Sequence, residues 1–236
     1  MRFKEKIAVI TGGSKGIGKA TAFALAREGC HIVLSARQSE ALEETARELR
    51  ELNIKVMTVK TDVRNEEEVR NLAAEVEVKL GAPHILVNNA GIGRFSEVVS
   101  MEENDFRAVL ETNLFGIFYC TKAFLPGMIR NKEGHIINIS SLAGKNHFAG
   151  GSAYCASKHA VIAFSECLML EVRHHNIKVT TICPGSVQTD FSAGSKEKSW
   201  ALTADDVANS VMDVLTTSAG SLISLIDLRP LHPPKH

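Results

Sequence analysis

Tyr154 and Lys158 stand four residues apart within 153–174, a stretch that reads as helix, so their side chains share a face. A phenol titrates near pH 10 and exchanges protons poorly at neutral pH, but a neighbouring ammonium stabilises the phenolate. The pair therefore predicts a tyrosine of lowered pKa, usable as a general acid in one direction and a base in the other. The same spacing also occurs in plain surface contacts, so the pair has to be weighed with its surroundings.

A second candidate lies near the start of the chain. Thr11-Gly12-Gly13-Ser14-Lys15-Gly16-Ile17-Gly18 separates a β-branched run at 7–10 from a helical stretch at 18–28. Glycines there permit a tight turn. They also let the backbone around Gly12, Ser14, Lys15, Gly16, Ile17 and Gly18 approach a pyrophosphate at a helix N-terminus. The GxxxGxG spacing on its own also fits a structural glycine turn; its position at the first strand-to-helix turn favours a dinucleotide. Sites selective for NAD carry an acid at the end of the second strand, where it bonds the ribose 2′-OH. Here that strand ends Leu34-Ser35-Ala36-Arg37. The Arg37 guanidinium offers a planar fork to a 2′-phosphate, and Lys15 adds a cation at the same corner. NADP(H) is the cofactor expected, against the alternative that Arg37 is a solvated loop charge.

These residues need a scaffold that brings strand ends together. Short β-branched runs at 7–10, 31–34, 56–59, 85–87, 136–139 and 179–182 read as strands. Between them 18–28, 40–52, 66–80, 105–129 and 153–174 read as helices. Leu42, Ala46 and Leu49 recur at helical spacing, and Asn65 before three glutamates is a fitting N-cap. Thr203 would cap a last helix running to Leu215, and 222–226 would form a final strand. Strict alternation implies a parallel sheet covered on both faces. The expectation is a single-domain α/β protein over 1–236. It would be a Rossmann-type doubly wound parallel sheet of about seven strands, with helices on both faces. The polar stretch around 190–202 would be a short substrate lid.

Composition excludes several classes. Lys and Arg together number 27, as do Asp and Glu, so no basic surplus exists to hold a nucleic acid. No apolar run approaches the roughly 20 residues that cross a bilayer. The first apolar stretch is too short for a signal peptide. Five cysteines, none in a CxxC pair, argue against a disulfide framework or a zinc site and for a reduced, cytoplasmic setting. His174-His175 at a helix end and the run 66–68 read as structural, and Cys155 as core.

Taken in order, the motifs resemble the short-chain dehydrogenase/reductase family over almost the whole chain. They are the glycine loop, Asp62-Val63, Asn88-Asn89-Ala90-Gly91, Asn113, Ser140-Ser141, Tyr154-Cys155-Ala156-Ser157-Lys158 and Pro184-Gly185. The resemblance implies that Asp62 and Val63 meet the adenine and that Asn89, Ala90 and Gly91 lie beneath the ribose. It also implies that the stretch from Pro184 and Gly185 through Val187 to Thr189 contacts the nicotinamide. Lys158 would bind the nicotinamide ribose, and Asn113 would anchor a water in the proton relay. A serine would orient the substrate oxygen. Ser140 and Ser141 compete for that role, and Ser141 is preferred because its distance from Tyr154 and the Ser-x-x-Gly ending at Gly144 match the family pattern. His147 and Phe148 lie in a stretch that borders the family's substrate pocket.

The resemblance implies hydride transfer between NADP(H) and a small-molecule carbonyl or secondary alcohol, and a homo-oligomer, dimer or tetramer. Over its first two-thirds the chain is similar to 3-oxoacyl-carrier-protein reductases. The ending Asp227-Leu228-Arg229-Pro230 is more similar to members acting on small hydroxy acids, serine-type substrates or assorted ketones. A reading of another class, an NADP(H) sensor without turnover, is opposed by the complete set Asn113, Ser141, Tyr154 and Lys158.

Overall fold

The computed structural model describes residues 1–189, 191 and 199–233. Seven strands form one parallel sheet: β1 Ile7–Thr11, β2 His31–Ala36, β3 Val56–Lys60, β4 Ile85–Asn88, β5 Gly134–Ile139, β6 Ile177–Pro184 and β7 Leu225–Leu228. Their spatial order is β3-β2-β1-β4-β5-β6-β7. The order reverses between β1 and β4, and beyond the C-terminal ends of the strands such a reversal opens a crevice.

Strand geometry sends alternate side chains to opposite faces. In β1, Ala8 and Ile10 enter one core with the helices α1 Gly16–Arg27, α2 Ser39–Arg50 and α7 Ala204–Leu215. Ile7 and Val9 enter the other with α3 Glu66–Lys79, α5 Gly116–Asn131 and α6 Ser152–Val172. Both faces being covered explains why the strands read as continuous apolar runs.

The expected caps are in place. Asn65 accepts from the backbone N–H groups of Glu67 and Glu68, and Thr203 with Asp206 forms a reciprocal capping box at the start of α7. Three boundaries or breaks differ from expectation. The single helix expected over 105–129 is α4 Glu103–Leu110, a π-helical turn Glu111–Phe115, and then α5. The helix expected to reach His174 ends at Val172 and continues as a 3-10 turn through His175. The last strand is shifted from 222–226 to β7, because its register follows pairing with β6, Thr181 opposite Leu225. Most of the expected lid, residue 190 and residues 192–198, lies outside the described residues. Its two ends are clasped: Val187 bridges Leu202, with Gln188 donating to the Leu202 carbonyl at 2.8 Å and Leu202 to that of Ser186 at 2.9 Å.

Candidate active site

The crevice holds a cavity of about 770 Å³, and strand ends supply most of its wall. Gly12, Ser14, Lys15, Gly16 and Ile17 follow β1; Arg37 and Gln38 follow β2; Asp62 and Val63 follow β3. Asn89, Ala90 and Gly91 follow β4, Ser140 and Ser141 follow β5, and Gly185, Val187 and Thr189 follow β6. Tyr154 and Lys158 reach in from α6. Residues distant in the chain thus meet because parallel strands end at one edge.

The glycine loop forms a cradle. Gly12 and Gly16 have φ of +65° and +53°, a backbone shape that disfavours side chains. A Cβ at Gly12 would lie 2.9 Å from the Asn89 side chain, and one at Gly18 would collide with the Gly12 carbonyl. Gly18 therefore serves the packing of loop on helix. Thr11 stitches the crevice shut underneath: its hydroxyl accepts from the N–H groups of Asn89 and Ala90, each at 3.1 Å. The Asn89 side chain returns hydrogen bonds to the carbonyls of Thr11 and Gly12. Open space over α1's N-terminus with cations at Lys15 and Arg37 fits a phosphorylated dinucleotide. After β3, Asp62 is held by Arg64 at 2.5–3.0 Å, and this hydrogen bonding keeps its carboxyl below the ordinary carboxylate range.

The π-helical turn has a visible cause. Asn113, fully buried in it, accepts from Ile92 N–H at 2.8 Å and donates to the Ile92 carbonyl and to Ser157 Oγ, both at 3.0 Å. Ser157 in turn donates to the Tyr154 carbonyl at 2.7 Å. One side chain thus ties the loop after β4 to the helix carrying Tyr154 and Lys158. Beneath it Asn88 donates to Asn138 and Asn138 to Ser165, each at 2.8 Å, fastening α6 to the sheet. Neither the turn nor Ser157's part in it is visible in local periodicity.

The geometry separates the two serines. Ser140 turns into the core and donates to the Lys158 carbonyl at 3.0 Å. Ser141 is half-buried, accepts from Ala143 N–H at 3.1 Å and donates to the Pro184 carbonyl at 3.4 Å, on the side of the cavity where Tyr154 stands. Lys158 lies under the Tyr154 ring, Nζ 5.7 Å from its centre, and donates to the Ile139 carbonyl at 2.9 Å.

The electrostatics correct one expectation. Burial pushes the Tyr154 phenol up to about 12, opposed by the Ser141 hydroxyl. Burial also pushes the Lys158 ammonium down to about 8. In the chain by itself, desolvation of both partners outweighs the attraction expected from their spacing. Spacing shows that two groups are neighbours; it does not show how much water they lose.

The cavity wall also holds residues that sequence reasoning did not single out. Ile92, Phe95, Leu142 and Asn146 line it beside His147 and Phe148, and Phe191 joins them from the expected lid. Phe95 and Phe191 were detectable only as aromatic residues in otherwise polar loops. Cys155 is buried, as expected. Among the described residues no group of three or more His, Cys, Asp or Glu side chains could hold a metal, and no helix is long and apolar enough to cross a membrane.

Comparison with known proteins follows the same lines. The chain is 37% identical over 228 residues to dehydrogenase/reductase SDR family member 7B of Bos taurus, covering 94% of this chain and 68% of that protein. It is 34% identical to the uncharacterized oxidoreductase MW2403 of Staphylococcus aureus, covering 96% and 98%. It is also 35% identical to glycine betaine reductase ATRR of Emericella nidulans, of which it spans only 19%. Two solved structures superimpose on nearly the whole chain. A metagenomic short-chain oxidoreductase in complex with NADP has TM-score 0.88 and 34% identity, covering 99% of this chain and all of that one. An alcohol dehydrogenase from Thermococcus sibiricus complexed with 5-hydroxy-NADP has TM-score 0.91 and 30% identity, covering 98% and 99%. The family model for short chain dehydrogenases matches residues 6–200, and with these relatives and this fold the chain belongs to that family of oxidoreductases.

Proposed function

We propose that this protein is an NADP(H)-dependent reductase or dehydrogenase acting between a carbonyl and the corresponding secondary alcohol. The observation that carries the reading is the convergence of Ser141, Tyr154 and Lys158 in one cavity with the glycine cradle. Arg37 and Lys15 at the far end, and the NADP complexes among its structural neighbours, support the phosphorylated cofactor. NADP(H) when bound supplies or accepts the hydride.

The chain's own residues would do the rest. Gly12, Ser14, Gly16 and Ile17 would cradle the pyrophosphate over the turn that Gly18 lets pack, and Arg37 and Lys15 would hold the 2′-phosphate. Asp62 and Val63 would border the adenine; Asn89, Ala90 and Gly91 the ribose; and Pro184, Gly185, Val187 and Thr189 the nicotinamide. Ser141 would hydrogen-bond the substrate oxygen. Tyr154 would hand its hydroxyl proton to that oxygen in reduction and recover it in oxidation. Its raised pKa in the chain alone keeps the phenol protonated, the form that reduction requires. Lys158 would stabilise the phenolate and hold the nicotinamide ribose. Asn113 would position the helix that bears both, beside the water it is expected to anchor.

The whole chain would act as one catalytic domain, the segment around 190–202 serving as a lid over the substrate. Exposed Phe115 at the end of the π-helical turn, Phe118 on α5 and Leu170 on α6 support self-association into a dimer or tetramer.

The test is a fluorescence titration with NADPH and NADH, followed by ketone-dependent loss of the reduced-nicotinamide absorbance. The expected result is tighter binding of NADPH and turnover that falls by about 10²–10⁴ in Tyr154→Phe, with NADPH binding kept. Unchanged turnover in that variant would remove Tyr154 from the chemistry.

A further inference from the structure

Three phenylalanines stand around the Tyr154 ring. Phe95 meets it edge-on, with centroids 5.5 Å apart, and Phe191 lies at 5.7 Å. Phe148 packs on Phe95 at 5.8 Å. All three line the cavity, yet each remains 40–49% exposed. The four rings come from four separate places in the chain, so no local pattern accounts for their meeting.

The backbone has made room for them. A Cβ at Gly93 would fall 2.7 Å from the Phe95 ring and 2.9 Å from that of Phe191. A Cβ at Gly151 would fall 2.5 Å from the Phe148 ring. Two glycines thus serve as seats for rings that cover no core. Apolar surface held open beside a proton donor is surface that a ligand can cover.

We infer that the substrate carries an apolar, aryl-sized group close to the reacting carbonyl, and that Phe95, Phe148 and Phe191 form its binding wall. This deepens the carbonyl-reductase reading and rests on it. A phenyl group would gain offset or edge-on contacts with the wall. A carboxylate would lose water there and face the negative faces of the rings. The wall therefore selects against the small hydroxy acids that the chain's C-terminal sequence brings to mind.

The experiment compares three ketones that share one skeleton: 4-phenyl-2-butanone, 2-pentanone and 4-oxopentanoate. With NADPH, kcat/KM for the phenyl ketone should exceed that of 2-pentanone by about tenfold or more. The carboxylate should be the poorest of the three. In Phe95→Ala the phenyl-to-methyl ratio should collapse toward one; Phe95→Leu, which keeps an apolar volume, should lower it only partly and serves if the alanine variant does not fold. Binding is read separately by saturation-transfer NMR on the protein–NADP⁺ complex, using 3-phenylpropanamide and butanamide, whose amide carbonyls are not reduced.

Preference for 4-oxopentanoate, or equal use of all three ketones, overturns the inference and leaves the reductase reading intact. If no ketone is consumed but 3-phenylpropanamide binds and butanamide does not, the reductase reading fails and the aryl site stands. If 3-phenylpropanamide does not bind, the aryl site is wrong.

Discussion

At the C-terminal edge of the sheet, burial drives Lys158 down to about 8; at the N-terminal edge, burial drives His135 down to about 4. The cause is the same and the surroundings are opposite. Lys158 faces a cavity lined by glycines, serines and aromatic rings. His135 shares a 2.8 Å hydrogen bond with Thr180, whose hydroxyl donates to the Ile223 carbonyl, so its ring donates through Nε2. Its neighbours do similar work: His84 accepts from Ile7 N–H and His31 from Lys55 N–H, each at 3.2 Å. Both edges spend polar groups on hydrogen bonds inside the fold, but only the C-terminal edge also opens them onto a cavity. A displaced pKa therefore marks a candidate site only where a cavity and convergent partners accompany it.

Lys158→Met gives the sharpest separation of the two edges. Turnover should fall by about 10²–10⁴ while the fold gains stability at neutral pH, because the variant no longer buries an ammonium. Steady-state kinetics and a urea midpoint on the same sample read both effects. A variant that loses stability along with activity would place Lys158 among the groups that hold the fold together.

His135 should behave in the reverse manner. Its folded pKa lies below the unfolded value, so the native ring stays neutral while unfolded chains take up a proton. Stability is full above pH 6.5 and declines as the pH falls toward 4, by about 3 kcal/mol at the limit. His135→Gln, which keeps a donor for Thr180, should flatten this dependence in urea titrations from pH 7 to pH 4 and leave turnover at pH 7 unaltered. A rate defect there would break the contrast between the edges.

A smaller effect is expected at Arg37, on the same edge as Lys158 but at the other end of the cavity. Arg37→Ser should weaken NADPH by about tenfold to a hundredfold and NADH hardly at all, as measured by equilibrium titration. Equal losses for both nucleotides would mean that the guanidinium does not read the 2′-phosphate.

Much of this was legible in the chain. Strand and helix positions followed from apolar runs and caps, because a sheet buried on both faces leaves continuous signatures. Glycine loop, serine, tyrosine and lysine fell into one cavity because parallel strands deliver their ends to one edge. What escaped had tertiary causes. The π-helical turn exists because Asn113 reaches Ile92 and Ser157, and helical periodicity carries no trace of that. Strand β7 takes its register from β6. The upward shift of Tyr154 comes from water removed by the fold, and Phe95 and Phe191 acquire meaning only beside Tyr154.

The clasp between Val187 and Leu202 has a consequence for how this site can diversify. Because the chain leaves the sheet region at Gln188 and returns at Leu202 through paired backbone bonds, the ends of the intervening segment meet whatever lies between them. Closing a loop of twice the length costs only about 0.6 kcal/mol more. The segment is thus an exchangeable cassette. A stretch grafted from a relative between Thr189 and Ala201 should leave the sheet and the glycine cradle in place while it replaces Phe191 beside the Tyr154 ring.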